Sequence, residues 1–264
     1  MKWARKALLL KIETVYGTDI VPTGAANAQL IYAEDVNLTP INAQAVERET
    51  VRAAGDYGAF TQYLVGKHVQ LEFSVEIAGS GTNDVPTKYG PALRGCGMAE
   101  AITVATKVAY TPVSESQESV TIYMHMDGIL HKLLGARGDV AFEFPINQRP
   151  RMRFRYLGLF AAAADVAFPT PVYSAFTKPL VVSDTNTPTL TLHGASVKVA
   201  SLTVALGNQV EYRELVNSTE IVISGRKSSG QIVLEHNSVA TKDWFGTVTG
   251  ETLGALALVH GLVA

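Results

Sequence analysis

The clearest pattern in the chain is a strict alternation of apolar and polar residues. From Val69 to Ile77 every second residue is apolar, and Gln, Glu or Ser stands at each position between. A period of two places the two sets on opposite faces of a β-strand, one buried and one in water. Two apolar runs, at 120–126 and 129–134, flank Asp127-Gly128, a dipeptide typical of a tight type I′ turn. The sequence therefore predicts a strand and a β-hairpin.

Similar runs predict most of the remaining structure. We expect further strands at 140–144, 152–159, 190–193, 197–206, 220–224 and 230–236. Helix signals are confined to two short segments. The first, 87–96, carries Pro91 where a first turn tolerates it and glycines that can end it; the second is 241–245. The predicted fold class is mainly β, with antiparallel sheets and short flanking helices.

Parts of the chain recur in the same order. Leu-Thr at 38–39 and Val-Glu at 46–47 return as Leu-Thr at 202–203 and Val-Glu at 210–211. Downstream, Val75-Glu76 matches Leu234-Glu235, and Thr87-Lys88 matches Thr241-Lys242. Conserved order with drifting loop lengths indicates two pseudo-repeated β units.

The repeat suggests a division of the chain. Residues 1–35 form an N-terminal arm and first strand, 36–168 the first β unit, 169–189 a linker, and 190–264 a second, shorter unit. The region 168–188 is rich in proline and small polar residues, which suits a linker and equally a surface excursion of one domain. The second unit is either abbreviated or lacks a C-terminal portion.

Composition narrows the class of protein. The chain has 264 residues, of which 47% are hydrophobic and only 17% charged. Such a low charge density indicates that part of the exterior is covered in an assembly. The apolar stretches are shorter than the roughly 18 residues of a spanning helix, so we expect no membrane contact. A net charge of −2 gives no electrostatic attraction to nucleic acid.

No arrangement of residues predicts catalysis. The single cysteine, Cys96, lies between glycines in the predicted helix, and we interpret it as a small buried hydrophobe. Of six histidines only His125 and His131 are near each other, and no third ligand completes a metal site. Nucleophile elbows, phosphate loops and dinucleotide fingerprints are missing. We therefore expect neither an enzyme nor a bound cofactor or metal.

A series of segments resembles the tail tube (major tail) proteins of long, flexible-tailed bacteriophages and Mu-like prophages. The series is specific although no single member is. It comprises 5–19 (RKALLLKIETVYGTD), 65–69 (VGKHV), 73–81 (FSVEIAGSG), 89–97 (YGPALRGCG), 110–113 (YTPV), 118–123 (ESVTIY), 127–132 (DGILHK), 135–138 (GARG), 206–216 (LGNQVEYRELV) and 240–245 (ATKDWF).

The resemblance implies a tail-tube-type β-sandwich or barrel whose copies close into rings. Strands from neighbouring copies join round a lumen, and the rings stack head to tail into a tube through which double-stranded DNA passes. One-unit members of the family form six-subunit rings, so a duplicated chain predicts either three subunits with pseudo-sixfold symmetry or six. Partners would be the tail terminator, tape measure and baseplate or distal tail proteins. Localisation would be the virion tail, after assembly in the bacterial host cytoplasm.

Two sets of residues are candidates for these contacts. A mildly acidic lumen would repel DNA, and acidic strand faces predict lumen-lining residues, although a solvated outer face would look the same. The lumen candidates are Glu47, Glu49, Glu72, Glu76, Glu211, Glu214 and Glu235. The long segment after Glu47 and the N-terminal arm are the candidates for contacts between rings. The inter-ring candidates are Arg48, Arg52, Asp56, Tyr57, Phe60, Tyr63, Trp3 and Arg5.

Two other classes compete with this interpretation. A carbohydrate- or receptor-binding β-sandwich of a virion would expose aromatic platforms, yet Trp3 and Trp244 lie in an arm and a predicted helix. A β-rich hydrolase would need a constellation of carboxylates or a nucleophile, and the sequence shows neither. Microscopy of purified protein separates the classes, since only a tail tube protein forms rings or tubes.

Overall fold

A computed structural model describes residues 5–23, 30–31, 33–49, 60–170, 172–174, 176–236 and 238–261. Within them the first nine strands are β1 (Lys6–Ile12), β2 (Leu30–Ile31), β3 (Ala33–Glu47), β4 (Gln62–Glu76), β5 (Met98–Thr103), β6 (Lys107–Pro112), β7 (Val120–Met126), β8 (Ile129–Pro145) and β9 (Arg151–Phe160). The others are β10 (Ala164–Asp165), β11 (Thr189–Leu192), β12 (Ala195–Ser196), β13 (Val199–Ala205), β14 (Asn208–Leu215), β15 (Ser218–Arg226), β16 (Ser229–Leu234) and β17 (Leu256–Val259). The two helices are α1 (Gly90–Gly95) and α2 (Trp244–Thr249).

One ten-stranded antiparallel sheet dominates the fold, and β8 is its centre. Strand β9 runs along one edge of β8, while β7 and then β13 share the other edge. The sheet thus forks at β8: one branch runs through β7 to β1 and β2, and the other through β13 to β16. On the far side β9, β4 and β3 follow in order. The mainly β prediction is confirmed, and the described part of the chain forms an open sheet and no closed barrel.

Alternation along β4 and β9 builds the core on one face of this sheet. Val69 to Val75 contribute every second side chain of β4 to it, each at most 2% exposed. Phe154 and Tyr156 do the same from β9, and the Phe73 and Phe154 rings stack with centroids 5.1 Å apart. Burying an aromatic side chain of this size contributes about 1.5–3 kcal/mol, so these strands anchor the domain.

Helix α1 packs against the core face of the sheet. Its Ala92 and Leu93 are buried, and the Tyr156 hydroxyl donates to the Ala92 carbonyl oxygen. Gly95 is needed at the contact, because a Cβ there would meet the Tyr156 hydroxyl at 2.8 Å and Val120 at 3.1 Å. The predicted helix is therefore present, although it begins three residues later than expected. The second helix also begins later, at Trp244.

The glutamate that follows β1 ties the N-terminal segment to the sheet. Glu13 is 9% exposed and accepts hydrogen bonds from the Gly17 amide (2.8 Å), the Ser119 hydroxyl (2.6 Å), the Thr121 hydroxyl (2.8 Å) and the Gly135 amide (2.7 Å). Strand β1 itself pairs with β7, and its residues 7–10 are buried. Residues 6–12 therefore belong to the subunit's own sheet and do not extend as a free arm.

The predicted turn at Asp127-Gly128 is confirmed. Both residues have positive φ, +44° and +100°, and they join β7 to β8 in direct register. The strand predicted at 140–144 is not separate, since β8 continues unbroken from Ile129 to Pro145 past irregular pairing near Gly135. Strand β9 begins after the predicted turn at 145–150.

The second half of the chain contains a long hairpin like the one formed by β3 and β4. Strand β13 pairs with β16 and continues into β14, which pairs with β15, so the four strands form one bent hairpin. The bend lies at Gly207, whose φ is +73° and which approaches the Lys227 carbonyl too closely for a side chain. A short helix follows each hairpin. This matching order supports the two pseudo-repeated units, whose boundaries remain a prediction.

The segment predicted as a linker packs along the sheet. Phe168 and Tyr173 lie against a second apolar cluster on the other face of β1 and β7. Further on, Val182 is 7% exposed and exchanges backbone hydrogen bonds with the turn at Asn147 and Gln148, both 2.9 Å.

Candidate assembly and channel surfaces

The face of the sheet opposite the core is polar at residues 139–143 of β8, 151–155 of β9 and 72–76 of β4, and we call this region the charged face. On β9 it carries Arg151, Arg153 and Arg155, which alternate with buried core residues. Beyond this region the same face of β9 carries Leu157 and Leu159, which are partly buried. The register places Glu72 and Asp139 opposite Arg155 on the two neighbouring strands, and Glu76 and Glu143 opposite Arg151. Acidic residues therefore flank both of these arginines across the sheet.

Ion pairs connect these rows. Arg155 Nε lies 3.6 Å from Glu72, and Arg153 Nε lies 3.2 Å from Glu143. Arg151 reaches Glu143 at 3.6 Å and Asp35 at 3.5 Å.

Arg149, at the margin of the charged face, pairs with both Glu34 and Glu76. These neighbouring carboxylates raise the pKa of the Arg149 guanidinium. Each of the four arginines at 149, 151, 153 and 155 thus has at least one carboxylate partner, although the side chains of Arg153 and Arg155 remain 59% and 66% exposed.

The same face continues over β13 and β16 without charges. Thr203 stands opposite Glu143, and Gln231 stands opposite Thr203 on the next strand. Their neighbours Leu202 and Ile232 turn to the core side, and Leu202 is 3% exposed. The resulting surface is charged in the middle and hydrogen-bonding but uncharged towards β16.

The path through the sheet that passes from β13 to β3 ends in two open edges. Across β8 its order is β16, β13, β8, β9, β4 and β3, and in the described residues neither β16 nor β3 has a strand on its outer side. Open edges are ready to pair with a strand of another molecule. Such an edge at each end of one sheet permits copies of the chain to join side by side.

The half of the β3–β4 hairpin that comprises residues 41–47 and 62–65 is largely exposed, and we call it the arm. It is distinct from the predicted N-terminal arm. It is exposed on both faces, yet it carries large apolar side chains: Ile41 is 50% exposed, Tyr63 51% and Leu64 56%. Val46 pairs with Tyr63 across the hairpin, while Leu64 points to the opposite face. Exposed apolar residues clustered on a projecting hairpin indicate a surface that another molecule covers.

The second hairpin supports the base of the arm. The Tyr212 ring of β14 stacks on His68 of β4, with centroids 4.9 Å apart and planes inclined by 19°. Gly66, with φ +67°, bends β4 at this point, and its carbonyl oxygen lies 2.9 Å from His68 Nδ1. The β14–β15 hairpin therefore contacts the arm at its base.

The structure brings together only two of the seven glutamates predicted for a lumen. Glu72 and Glu76 lie on the charged face, each paired with an arginine. The other five lie elsewhere: Glu47 and Glu49 at the end of the arm, Glu211 and Glu214 on β14, and Glu235 beside Lys198 after β16. The arginines of β9 were missed, although their alternation with Met152, Phe154 and Tyr156 is visible in the sequence.

The predicted inter-ring residues fall partly within the described chain. Tyr63 lies on the arm, and Arg48 and Phe60 lie at its end, where the Arg48 amide donates to the Thr61 carbonyl (2.8 Å). Arg5 lies over the Phe168 ring at 4.3 Å, within its own subunit. Four others, Trp3, Arg52, Asp56 and Tyr57, lie outside the described residues.

No reactive group stands out in the described residues. Cys96 is fully buried, its thiol donates to the Tyr156 hydroxyl, and burial raises the pKa of the thiol. His125 and His131 do not form a pair, because the register sets His125 opposite Leu130 and His131 opposite Met124. No group of three metal-ligating side chains occurs among the residues that were described. Neither helix there is long and apolar enough to cross a membrane.

A polar sheet face, open sheet edges and an exposed apolar arm are typical of a structural β protein that associates with other subunits. Comparison with known families agrees with this class. The chain matches the phage tail tube protein family over residues 3–262, and it belongs to that family. It is thus a structural component of a virion tail that assembles with itself into a tube. No curated protein matches the chain.

Proposed function

We propose that the protein forms stacked rings around a channel for double-stranded DNA, which passes through it during ejection. The observation that carries this proposal is the six-stranded run from β16 to β3, open at both edges and polar on one face. In the proposed ring, β16 of one copy pairs with β3 of the next, and the charged face turns inward. This pairing would close the edges of β16 and β3, which otherwise favour uncontrolled association.

The distribution of apolar groups supports an inward direction for the charged face. The other face of β4 and β9 holds the core and is covered by α1, so it is not available to line a channel. A channel for DNA must be hydrated and must not hold phosphates. A face with more carboxylates than arginines meets both conditions.

The number of subunits per ring depends on the pseudo-repeat. With two long hairpins per chain, three copies would give a pseudo-sixfold ring. The second hairpin is followed by fewer strands than the first, which favours six complete copies instead. We favour three, because the second hairpin joins the same continuous sheet as the first.

We assign the contacts between stacked rings to the arm. Its apolar side chains on both faces would be covered by the adjacent ring, head to tail, which generates an open filament. The tail terminator, tape measure and distal tail or baseplate proteins would bind the ends and interior of this filament. Assembly would take place in the cytoplasm of the bacterial host, and the chain would have no catalytic role.

Cryo-electron microscopy of the concentrated protein near neutral pH tests the proposal. Stacked rings with an open lumen lined by β8, β9 and β4 are expected, and the symmetry decides between three and six. A protein that stays monomeric at high concentration, even with an added tail initiator, would refute the proposal. That result would favour a carbohydrate- or receptor-binding module instead.

A further inference from the structure

The charged face carries more ion pairs than stability requires. Four arginines lie within reach of carboxylates, mostly at partly exposed positions. Exposed ion pairs contribute little to the stability of a fold, and often nothing measurable. Uncharged polar side chains, as on β13 and β16, would keep this face hydrated equally well. The arrangement therefore has a reason other than folding.

The spacing of the arginines suits a nucleic acid. Arg151, Arg153 and Arg155 lie on the same side of one strand, about 7 Å apart at the usual rise of a β-strand. Guanidinium groups bind phosphate oxygens strongly and often in a bidentate manner. An unpaired row of this kind, repeated around a ring, would form a basic belt that holds DNA.

A carboxylate lies beside the guanidinium group of each of two β9 arginines. Arg153 Nε lies 3.2 Å from Glu143, and Arg155 Nε lies 3.6 Å from Glu72. A phosphate that approached the exposed terminal nitrogens of either guanidinium would meet the negative charge of the adjacent carboxylate at close range.

We propose that Glu72, Glu76 and Glu143 are built-in competitors that keep the β9 arginines from binding DNA. The proposal deepens the proposed function and rests on it, because it assigns the charged face to the channel. The proposal also gives the arginines a role. When they are paired with acidic residues, they form a hydrated face of alternating charge that neither holds nor strongly repels a passing duplex.

A triple substitution tests the proposal on dissociated subunits. The face variant carries Glu72→Gln, Glu76→Gln and Glu143→Gln. The matched control carries Glu211→Gln, Glu214→Gln and Glu235→Gln, which change the net charge equally but lie away from the charged face. Binding of a short fluorescent DNA duplex is measured by anisotropy, and thermal unfolding confirms that each variant is folded.

We expect the face variant to bind the duplex at low salt and the wild type and control to bind at least about tenfold more weakly. If two freed arginines each contact a phosphate, affinity falls about sixtyfold between about 20 and about 200 mM salt. Adding Arg153→Gln and Arg155→Gln to the face variant should abolish the gain. Equal binding by the face variant and the control, or binding that survives loss of both arginines, would overturn the proposal.

Two further measurements keep the test decisive. If the triple variant does not fold, Glu72→Gln alone is used, since this side chain is 43% exposed and its partner is Arg155. A smaller gain in binding is then expected, and no gain in a folded protein counts against the proposal. Ring formation is examined separately by microscopy. Wild-type protein without rings refutes the proposed function, whereas normal rings without DNA binding by the face variant refute only the present inference.

Discussion

Replacing Glu13 by glutamine should destabilise the subunit without removing any apolar contact. The carboxylate lies where β1 meets the turn into residues 14–20, and it accepts four hydrogen bonds from three parts of the chain. One oxygen takes the Gly17 amide and the Ser119 hydroxyl, and the other takes the Gly135 amide and the Thr121 hydroxyl. Glutamine is nearly the same size but offers a single acceptor oxygen.

The geometry sets the expected magnitude. Whichever carboxylate oxygen becomes the amide nitrogen, a backbone N–H of Gly17 or Gly135 is left facing another donor. The nearby hydroxyl can rotate to accept, but the backbone amide cannot. A buried unsatisfied donor costs about 1–3 kcal/mol, and the remaining bonds lose their charge assistance. We expect a loss of about 3 kcal/mol in the free energy of unfolding, which lowers Tm by roughly 6–12 °C in a chain of this size.

Thermal and urea unfolding of the dissociated subunit measure this loss. The matched control is Glu115→Gln, at an exposed position, which should change stability by less than about 0.5 kcal/mol. The denaturant slope should be unchanged, because the same surface is exposed on unfolding. A Glu13→Gln variant as stable as the control would show that the four hydrogen bonds do not hold the N-terminal segment, and the reasoning would fail.

Three further predictions follow from the arm and from two buried groups. Leu64→Ser should shorten tubes in negative-stain micrographs while leaving the subunit folded. The control Val104→Ser should not, although Val104 on the β5–β6 turn is even more exposed (79% against 56%). Tubes of normal length from the Leu64→Ser variant would contradict the role of the arm. Cys96 should react with a thiol reagent only at the rate of unfolding, because its thiol is fully buried and burial raises the pKa of that thiol. Rapid labelling of the native protein would refute this prediction. Burial lowers the pKa of His125, so the folded state binds fewer protons than the unfolded state, and stability should fall as pH drops below about 6.5. The His125→Phe variant should show a weaker dependence of Tm on pH. An unchanged dependence would contradict this reasoning.

The elements predicted from sequence are those that bury one face. Strand β4 shows nine residues of alternation because its core half packs against β9, and the β7–β8 hairpin is marked by its turn residues. Strand β3 was not predicted as a strand, since its far half is exposed on both faces and its sequence carries Pro40. The β5–β6 hairpin was missed for a similar reason, as most of its side chains are not buried.

Of the charged face, only the acidic residues Glu72 and Glu76 were predicted from the sequence. Alternation identifies Glu72 and Glu76 as members of one face, but it does not reveal what stands beside them. The register supplies that information: it places Arg151 and Arg155 opposite these acids from a strand some eighty residues away in the chain. An acidic face in the sequence thus becomes an ion-paired face in the structure, and in the proposed channel this would change how the face acts on DNA.

In the proposed ring the open edges would have to join the correct neighbour and no other, and the irregular pairing of β3 would provide this selectivity. Its pairing with β4 is interrupted between Glu34 and Asn37 and again between Thr39 and Asn42, and Pro40 has no amide to donate. Asp35 adds a positive φ of 50°. Bulges and proline on an edge disfavour pairing with arbitrary strands. In the proposed ring, only a strand whose hydrogen-bonding groups match these interruptions completes the edge, so closure through β16 would select a second copy of this chain over other strands in the cell.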